Sequence, residues 1–233
     1  MRLKLVKKIK EARSTVSFYW GPEKEVKFRP GQYFYFTLPK LDFPDPRGTT
    51  RHFTISSSPT EMGYIRNTTR IREESGYKKT IDALAVGSEI EGEGPNGTFL
   101  LDDNEQGPHV FIAGGIGITP FRSMIKYVAD KNLKTQIHLI YSDSTLEDMA
   151  FKKELEELGK SHPNIKIQFI LTKTQGRIDE AKIKSFIQDW GLEIPKCTWW
   201  LCGPPPMVDA MEEIMGGLQI PFGKVRVEKF TGY

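Results

Sequence analysis

The sequence predicts two folds in series, a small antiparallel, Greek-key-like β barrel over residues 1–104 and a parallel-sheet α/β domain over residues 105–233. Three observations predict it. Up to about Leu101, apolar and polar residues alternate in short runs broken by turn signals. Around LDDNEQGPH the composition turns polar. Beyond it, near-continuous apolar runs alternate with longer amphipathic stretches. A chain of 233 residues fits one large domain or two small ones at roughly 150 residues each, and the change of rhythm decides for two.

The opening MRLKLVKKIK alternates Leu3 and Leu5 with basic residues, a strand with one wet face. Val16, Phe18 and Trp20 line one side of the next strand, with Ser17 and Tyr19 on the other. FYFTL, HFTIS, YIRNTT and SEIEGE follow, punctuated by PEK, RPG and PNG, the pattern of a small barrel or sandwich. One helical insert interrupts them: in SGYKKTIDALAVG, Ile81, Leu84 and Ala85 recur at helical spacing, and Gly87 follows as a stop signal.

In the second half HVFIA, QIHLIY, IKIQFIL, TWWLC and KVRVE are runs suited to strands buried on both faces. FRSMIKYVADK, EDMAFKKELEELG, DEAKIKSFIQDW and MVDAMEEIMGGL place apolar residues three and four apart between them. The resulting βαβαβαβαβ order predicts a parallel sheet flanked by helices.

Composition excludes several classes. With 38% hydrophobic and 27% charged residues, and no apolar run near the roughly 20 residues of a membrane span, no membrane span is expected. The net charge is only +3 with both signs interspersed, so no nucleic-acid footprint is present. Cys197 and Cys202 are the only cysteines, too few for a disulfide framework or an all-cysteine iron-sulfur cluster. Within the strand CTWWLC their side chains point to opposite faces about 16 Å apart, so both thiols are expected free. The histidines His52, His109, His138 and His162 are scattered, and no metal site is expected. The start carries neither a signal peptide nor an anchor, which makes a cytoplasmic location the default expectation.

The sharpest local feature is HVFIAGGIGITPFRSM, where a strand runs through Gly114, Gly115 and Gly117 into a helix. Thr119 is a candidate helix cap, with Pro120 at the first helical position. Glycines let a phosphate approach the backbone, and a helix start offers it unpaired N–H groups and a positive dipole end. The rival reading is a tight turn alone, because Pro120 stands where G-x-G-x-x-G has its third glycine.

RHFTISSSP resembles the flavin signature R-x-[YF]-[ST] of the ferredoxin-NADP reductase superfamily. GGIGITPFRSM and CGPPPMVDAM resemble that family's two nicotinamide-nucleotide signatures, and FRPGQYFYF, GPNGTF and EKFTGY are similar to further family segments. Together they run in family order from Phe28 to Tyr233. The resemblance implies FAD in the barrel, with Arg51 on a flavin phosphate, Phe53 packed on the cofactor and Thr54 hydrogen-bonded to the flavin ring. Phe53 departs from the commoner Tyr. His52 between them is expected to face solvent. Backbone N–H groups of Gly76, Tyr77, Lys78, Lys79 and Thr80 would hold the pyrophosphate. The side chains of Lys78 and Lys79 either join them or form a solvated face. Thr69 and Arg70 lie in a matching strand.

The same resemblance sets Cys202 beside the nicotinamide carbon that gives up the hydride, with Gly203 and Pro204 along the nucleotide's path. Cys197 reads as a small buried hydrophobe. Phe230 or Tyr233 would stack on the flavin, and Glu228 would approach the site. After QIHLIY, Asp143 stands where a carboxylate accepts ribose hydroxyls. It is expected to favour NADH over NADPH by repelling the extra phosphate, unless Lys152, Lys153 or Arg177 swings in.

The function implied is that of an FAD-dependent NAD(P)H oxidoreductase. It would take a hydride from NADH or NADPH and pass electrons to a separate redox protein, a ferredoxin or flavodoxin, or an oxygenase component. The remaining alternative is a non-catalytic flavin-binding subunit of a larger electron-transfer complex.

Overall fold

The computed structural model describes residues 1–102, 105 and 107–231. The domain boundary expected at residue 104, and Tyr233, lie outside the described residues.

The barrel is built from β1 (Arg2–Ala12), β2 (Thr15–Pro22), β3 (Tyr33–Thr37), β4 (Thr50–Thr54), β5 (Ile65–Arg70) and β6 (Glu89–Asn96), antiparallel in the order β4-β3-β6-β1-β2-β5. Its edges meet again just past β4, where Ile55 bridges to Asn67 and the Ser56 N–H donates to the Arg66 carbonyl at 2.7 Å. Alternation places the core as the sequence predicts: Leu3, Leu5, Phe18, Trp20, Phe34 and Phe36 are fully buried in one cluster. Strand β5 is buried almost throughout although Asn67, Thr68 and Thr69 are polar. Several of its polar groups find partners inside, with the Trp20 indole donating to Asn67 Oδ1 at 2.6 Å and the Ser17 and Thr68 hydroxyls bonded at 2.7 Å, whereas Asn67 Nδ2 and Thr69 Oγ1 have none among the described residues.

Helix α1 (Gly76–Ala83) is capped by Ser75, whose hydroxyl accepts from the Lys78 N–H. It ends before Gly87, so Ala85, expected on its apolar face, is exposed beyond it. The mid-turn chain leaves the helix at Leu84, whose ψ is already extended.

The second sheet is wholly parallel, β11-β10-β7-β8-β9, from β7 (His109–Gly114), β8 (Ile137–Asp143), β9 (Ile165–Leu171), β10 (Thr198–Gly203) and β11 (Val225–Lys229). The central β7 and β8 are buried at every position and the edges β9 and β11 only in part, as expected for a sheet covered on both faces. Its helices are α2 (Ile118–Asp130), α3 (Lys152–Ser161), the single turn α4 (Thr172–Gln175), α5 (Glu180–Trp190) and α6 (Pro205–Gly217).

Two helix starts differ from expectation. A 3-10 turn over Gly115–Gly117 leads straight into α2, so Gly117 is the cap. Thr119 and Pro120 lie inside the first turn, and the Thr119 hydroxyl donates back to Ile116 O at 3.0 Å. Helix α3 begins only at Lys152, after Phe151 with φ of 60°. Met149, Ala150 and Phe151 are buried instead of helical, and Phe151 lies under the guanidinium groups of Arg66 and Arg122 at 4.9 and 5.9 Å.

Arg122 ties the halves together. From α2 it donates to Glu61 and Ser56 O on the barrel side and to Glu154 of α3, at 3.0 Å to Glu61 Oε1 and to Glu154 Oε2. Burial alone would raise Glu61, but the Arg122 hydrogen bonds and charge overcome it and hold the carboxyl at about 2.

Candidate functional site

Two sheets end on one cleft. From the barrel, β4 delivers Phe53 and Thr54; from the parallel sheet, β11 and the residues after it deliver Glu228 and Phe230. Alternation along β4 sends the Phe53 ring inward, against Phe36 and Tyr77 at 5.9 and 6.0 Å. Thr54 is 5% exposed, and its hydroxyl makes no side-chain hydrogen bond to a described residue. Parallel pairing puts Glu228 beside Cys202, and Cys202 beside Ala113 at the entry to the glycine turn. Gly117 must be glycine, because a Cβ there would lie 2.3 Å from Cys202 O.

Electrostatics in this cleft are dominated by burial. Desolvation pushes the Glu228 carboxyl up to about 7, and its Oε2 is buried without a hydrogen-bond partner. The Cys202 thiol is fully buried, and burial, then the Glu228 charge, lift its pKa well above that of a free cysteine. Cys197, also buried, is pushed up to about 11 by burial and then by Glu193. Neither cysteine is bonded to the other. The Phe230 N–H donates to Gly203 O at 2.9 Å, and its ring packs on the cluster that contains Cys202.

A second cleft lies at the carboxyl ends of β7, β8 and β10, lined by Gly114, Gly115, Ser142, Asp143, Pro204 and Met207 among others. Gly115 has φ of +53° and forms a cradle that a side chain would fill, 3.6 Å from Arg70 Nη2. Pro204 caps α6, while a Cβ on Gly114 or Gly203 would meet Met207 Sδ at 2.7 or 2.9 Å.

Residues 2–100 match the family model of the oxidoreductase FAD-binding domain, and residues 111–213 that of the oxidoreductase NAD-binding domain. The chain belongs to the ferredoxin-NADP reductase superfamily. FAD and NAD(P)H are the cofactors of these two domains. NADH-cytochrome b5 reductase 1 of Dictyostelium discoideum is 34% identical over 69% of this chain and 58% of its own length. The reductase component of propane 2-monooxygenase from Rhodococcus jostii (strain RHA1) is 26% identical over 88% of this chain and 56% of its own. The chain thus spans a little over half the length of the curated relatives it matches. In fold it is similar to the flavohem-like FAD/NAD-binding domain of nitric oxide dioxygenase from Vibrio cholerae O1 biovar El Tor, with TM-score 0.84, 18% identity and 98% coverage of both chains.

Within this ferredoxin-NADP reductase fold, several residues singled out in the sequence sit differently from expectation. Arg51 does not point freely at a phosphate: it donates to Asp45 Oδ1 at 2.6 Å and to the carbonyls of Arg47, Gly48 and Thr50. In the first turn of α1 the Tyr77 N–H is taken by Asp45, the Lys78 N–H by the Ser75 hydroxyl and the Lys79 N–H by Ser75 O. Gly76 lies under the carbonyls of Phe43 and Pro44, and the Thr80 hydroxyl donates to Gly76 O at 2.8 Å. The two lysines separate. Lys78 is 4% exposed, with burial and then Arg72 pushing it down to about 7, whereas Lys79 reaches Glu73 at 3.6 Å on the surface. His52 is exposed, as expected, with its ring 5.1 and 5.7 Å from those of Tyr33 and Tyr35.

Asp143 is likewise engaged. Its Oδ2 pairs with Arg70 at 2.8 Å and its Oδ1 accepts from the Ser144 N–H at 2.7 Å, so it is not an idle ribose acceptor. Thr69 is fully buried, and its hydroxyl has no hydrogen-bond partner. Sequence reasoning missed Asp45, Arg122, Glu61 and Glu154. The prolines and glycine of PDPRG are turn residues that could have marked the loop carrying Asp45, but no local pattern says what its carboxylate meets. At the first cleft the buried Glu228 Oε2 has no hydrogen-bond partner and the Thr54 hydroxyl has no side-chain partner among the described residues, a donor and acceptor chemistry that suits the polar edge of a flavin.

Proposed function

We propose that the chain is the electron-transferring reductase module of an NAD(P)H oxidoreductase, with its chemistry in the cleft where Thr54, Cys202, Glu228 and Phe230 converge. The observation that carries this reading is that convergence. The flavin signature ends β4, and its Thr54 shares a cleft with Glu228, which pairs with Cys202 of the nucleotide signature at the end of β10, although Thr54 and Cys202 lie about 150 residues apart in the chain. When bound, FAD supplies hydride acceptance from the nicotinamide and onward transfer of electrons.

The residues around it bind, orient and exclude water. Thr54 offers a hydroxyl to the flavin edge. Phe230 supplies an apolar wall and covers the face that a nicotinamide must reach, whereas Phe53, expected to pack on the cofactor, turns its ring into the barrel core. Glu228, titrating near neutrality, can hold a proton on a buried carboxyl oxygen. Cys202 contributes shape and polarisability, not a thiolate, because its thiol stays protonated.

NADH is favoured over NADPH in this reading because Asp143 stands at the carboxyl end of β8. Its pairing with Arg70, and the cation Arg177 on the same wall, reduce the repulsion of a 2′-phosphate, so the expected preference is modest. The acceptor is proposed as a separate redox protein, a ferredoxin or flavodoxin. An oxygenase component is the second reading, favoured by the likeness to a monooxygenase reductase. The deciding experiment reduces the purified yellow protein with NADH or NADPH without oxygen, then adds each candidate acceptor. Bleaching within milliseconds to seconds, followed by reoxidation by one class of acceptor, is expected. A bound flavin that neither nucleotide bleaches would leave only a non-catalytic flavin-binding subunit.

A further inference from the structure

A carboxylate of the chain itself occupies the place where the superfamily reading puts the flavin diphosphate. Asp45 lies between β3 and β4, in the turn PDPRG. Its Oδ1 takes the Arg51 guanidinium at 2.6 Å and the Arg47 N–H at 3.0 Å. Its Oδ2 takes the Tyr77 N–H at 3.0 Å and the Ser75 hydroxyl at 3.1 Å. A guanidinium, a backbone N–H in the first turn of a helix and a hydroxyl are together the donors an anionic phosphate seeks.

The side chain is 4% exposed, and although burial works against the charge, the Tyr77 and Arg47 N–H groups, Arg51 and Ser75 hold its pKa at about 2. It is therefore a full negative charge at any working pH. The loop is also seated tightly on the helix. The loop rests on α1 so closely that a Cβ on Gly76 would fall 2.2 Å from Pro44 O and 2.3 Å from Phe43 O. A diphosphate reaching Arg51 and the Tyr77 N–H would meet a like charge already bound to both. The loop has a means of leaving: Pro44 and Pro46 stiffen the segment around Asp45, while Gly48, at φ of +74° with open space around it, is a pivot.

We propose that Asp45 is an internal stand-in for the flavin diphosphate, holding Arg51 and the first turn of α1 in their binding arrangement until the cofactor arrives, and then yielding both to it. This rests on the reading that FAD binds the barrel through Arg51 and α1. The exchange favours the cofactor, because a diphosphate offers more charge and more acceptor oxygens than one carboxylate. The stand-in keeps Arg51 paired and the helix start satisfied in the flavin-free protein, and it slows loading.

The test is FAD uptake by flavin-free protein, followed by quenching of flavin fluorescence, in wild type and Asp45→Asn. The variant is expected to take up FAD at least tenfold faster. Its flavin-free form should melt at a lower temperature than wild type, while the FAD-loaded forms melt together. Uptake that is unchanged or weaker in Asp45→Asn overturns the proposal, since Asp45 would then support Arg51 in the loaded state as well. Should the variant fold poorly, hydrogen exchange on the wild type decides: the amides of Arg47 and Gly48 should exchange faster with FAD bound than without, and equal or slower exchange overturns the proposal. If neither wild type nor variant takes up FAD, the reading of the barrel as a flavin site falls and this proposal falls with it. FAD uptake indifferent to Asp45 removes the proposal alone.

Discussion

Arg70, the last residue of β5, and Asp143, the last of β8, form a 2.8 Å ion pair that joins the barrel to the parallel sheet directly over Gly115. The Asp143 side chain is 4% exposed and that of Arg70 28%, so the pair is largely withdrawn from water, and on the proposed reading the guanidinium stands beside the glycine turn that a dinucleotide's phosphates would approach. Arg70→Ala should therefore raise KM for NADH and NADPH alike, by about tenfold, corresponding to roughly 1.5 kcal/mol for one charge-assisted hydrogen bond. Flavin content should not change. Asp143→Asn should instead shift the kcat/KM ratio towards NADPH. Steady-state kinetics with an artificial acceptor read both, and an Arg70→Ala enzyme with unaltered KM would show that the guanidinium serves the domain tie only.

Arg122 carries the strongest mechanical prediction. Removing it leaves Glu61 and Glu154 facing each other without their shared cation, a loss of about 3–5 kcal/mol for a buried pair broken on one side. Arg122→Ala should lower the urea midpoint markedly and separate the unfolding of the two domains. Because the Glu61 pKa lies below its unfolded value, its stabilisation is present above about 4.5 and is lost as pH falls towards about 2. Wild type and variant should thus converge in acid, and urea titrations at pH 7 and pH 3 would expose any failure to do so.

Glu228 predicts the opposite pH trend. Its folded pKa of about 7 lies above the unfolded value of 4.5, so the folded state binds the extra proton between them. The stabilisation is full below about 4.5 and is lost as pH rises through about 7. Glu228→Gln, a permanent mimic of the protonated form, should be more stable than wild type at pH 8 and equal to it at pH 4. Its rate profile should lose an ionisation near neutrality. A Gln variant that retains both the wild-type pH profile and the wild-type melting curve would assign the proton elsewhere.

The thiols give a simple check. Burial raises both Cys197 and Cys202, so neither should react with a disulfide reagent at pH 7.5 in the native protein, and both should react once it is unfolded. One fast-reacting thiol in the native state, if it maps to Cys202, would mean that this residue opens to solvent.

Period and punctuation determined most of this protein's architecture from the sequence alone. Two-residue alternation at Leu3, Leu5, Phe18 and Trp20 identifies a barrel wall whatever the rest of the chain does, because the pleat allows one face to be dry. The unbroken apolar runs of HVFIA and TWWLC identify strands covered on both faces. Motif matches singled out Thr54, Cys202 and Glu228 as candidates, since each stands at or next to a strand end that its signature marks. Met149, Ala150 and Phe151 fall outside α3 because helical spacing of apolar residues does not say which neighbour buries them: all three join the core of the parallel-sheet half, and Phe151 lies under Arg66 and Arg122 from two different elements.

What only the tertiary structure decided is how the charges are paired. Asp45 and Arg51 are six residues apart and Arg70 and Asp143 seventy-three, and in neither case does local sequence reveal the partner. Hydrophobic burial is a property of each residue's own period, legible along one strand or helix. A charge is settled by whichever opposite charge the fold brings within hydrogen-bonding reach in a low dielectric, and that depends on the packing of every element between them.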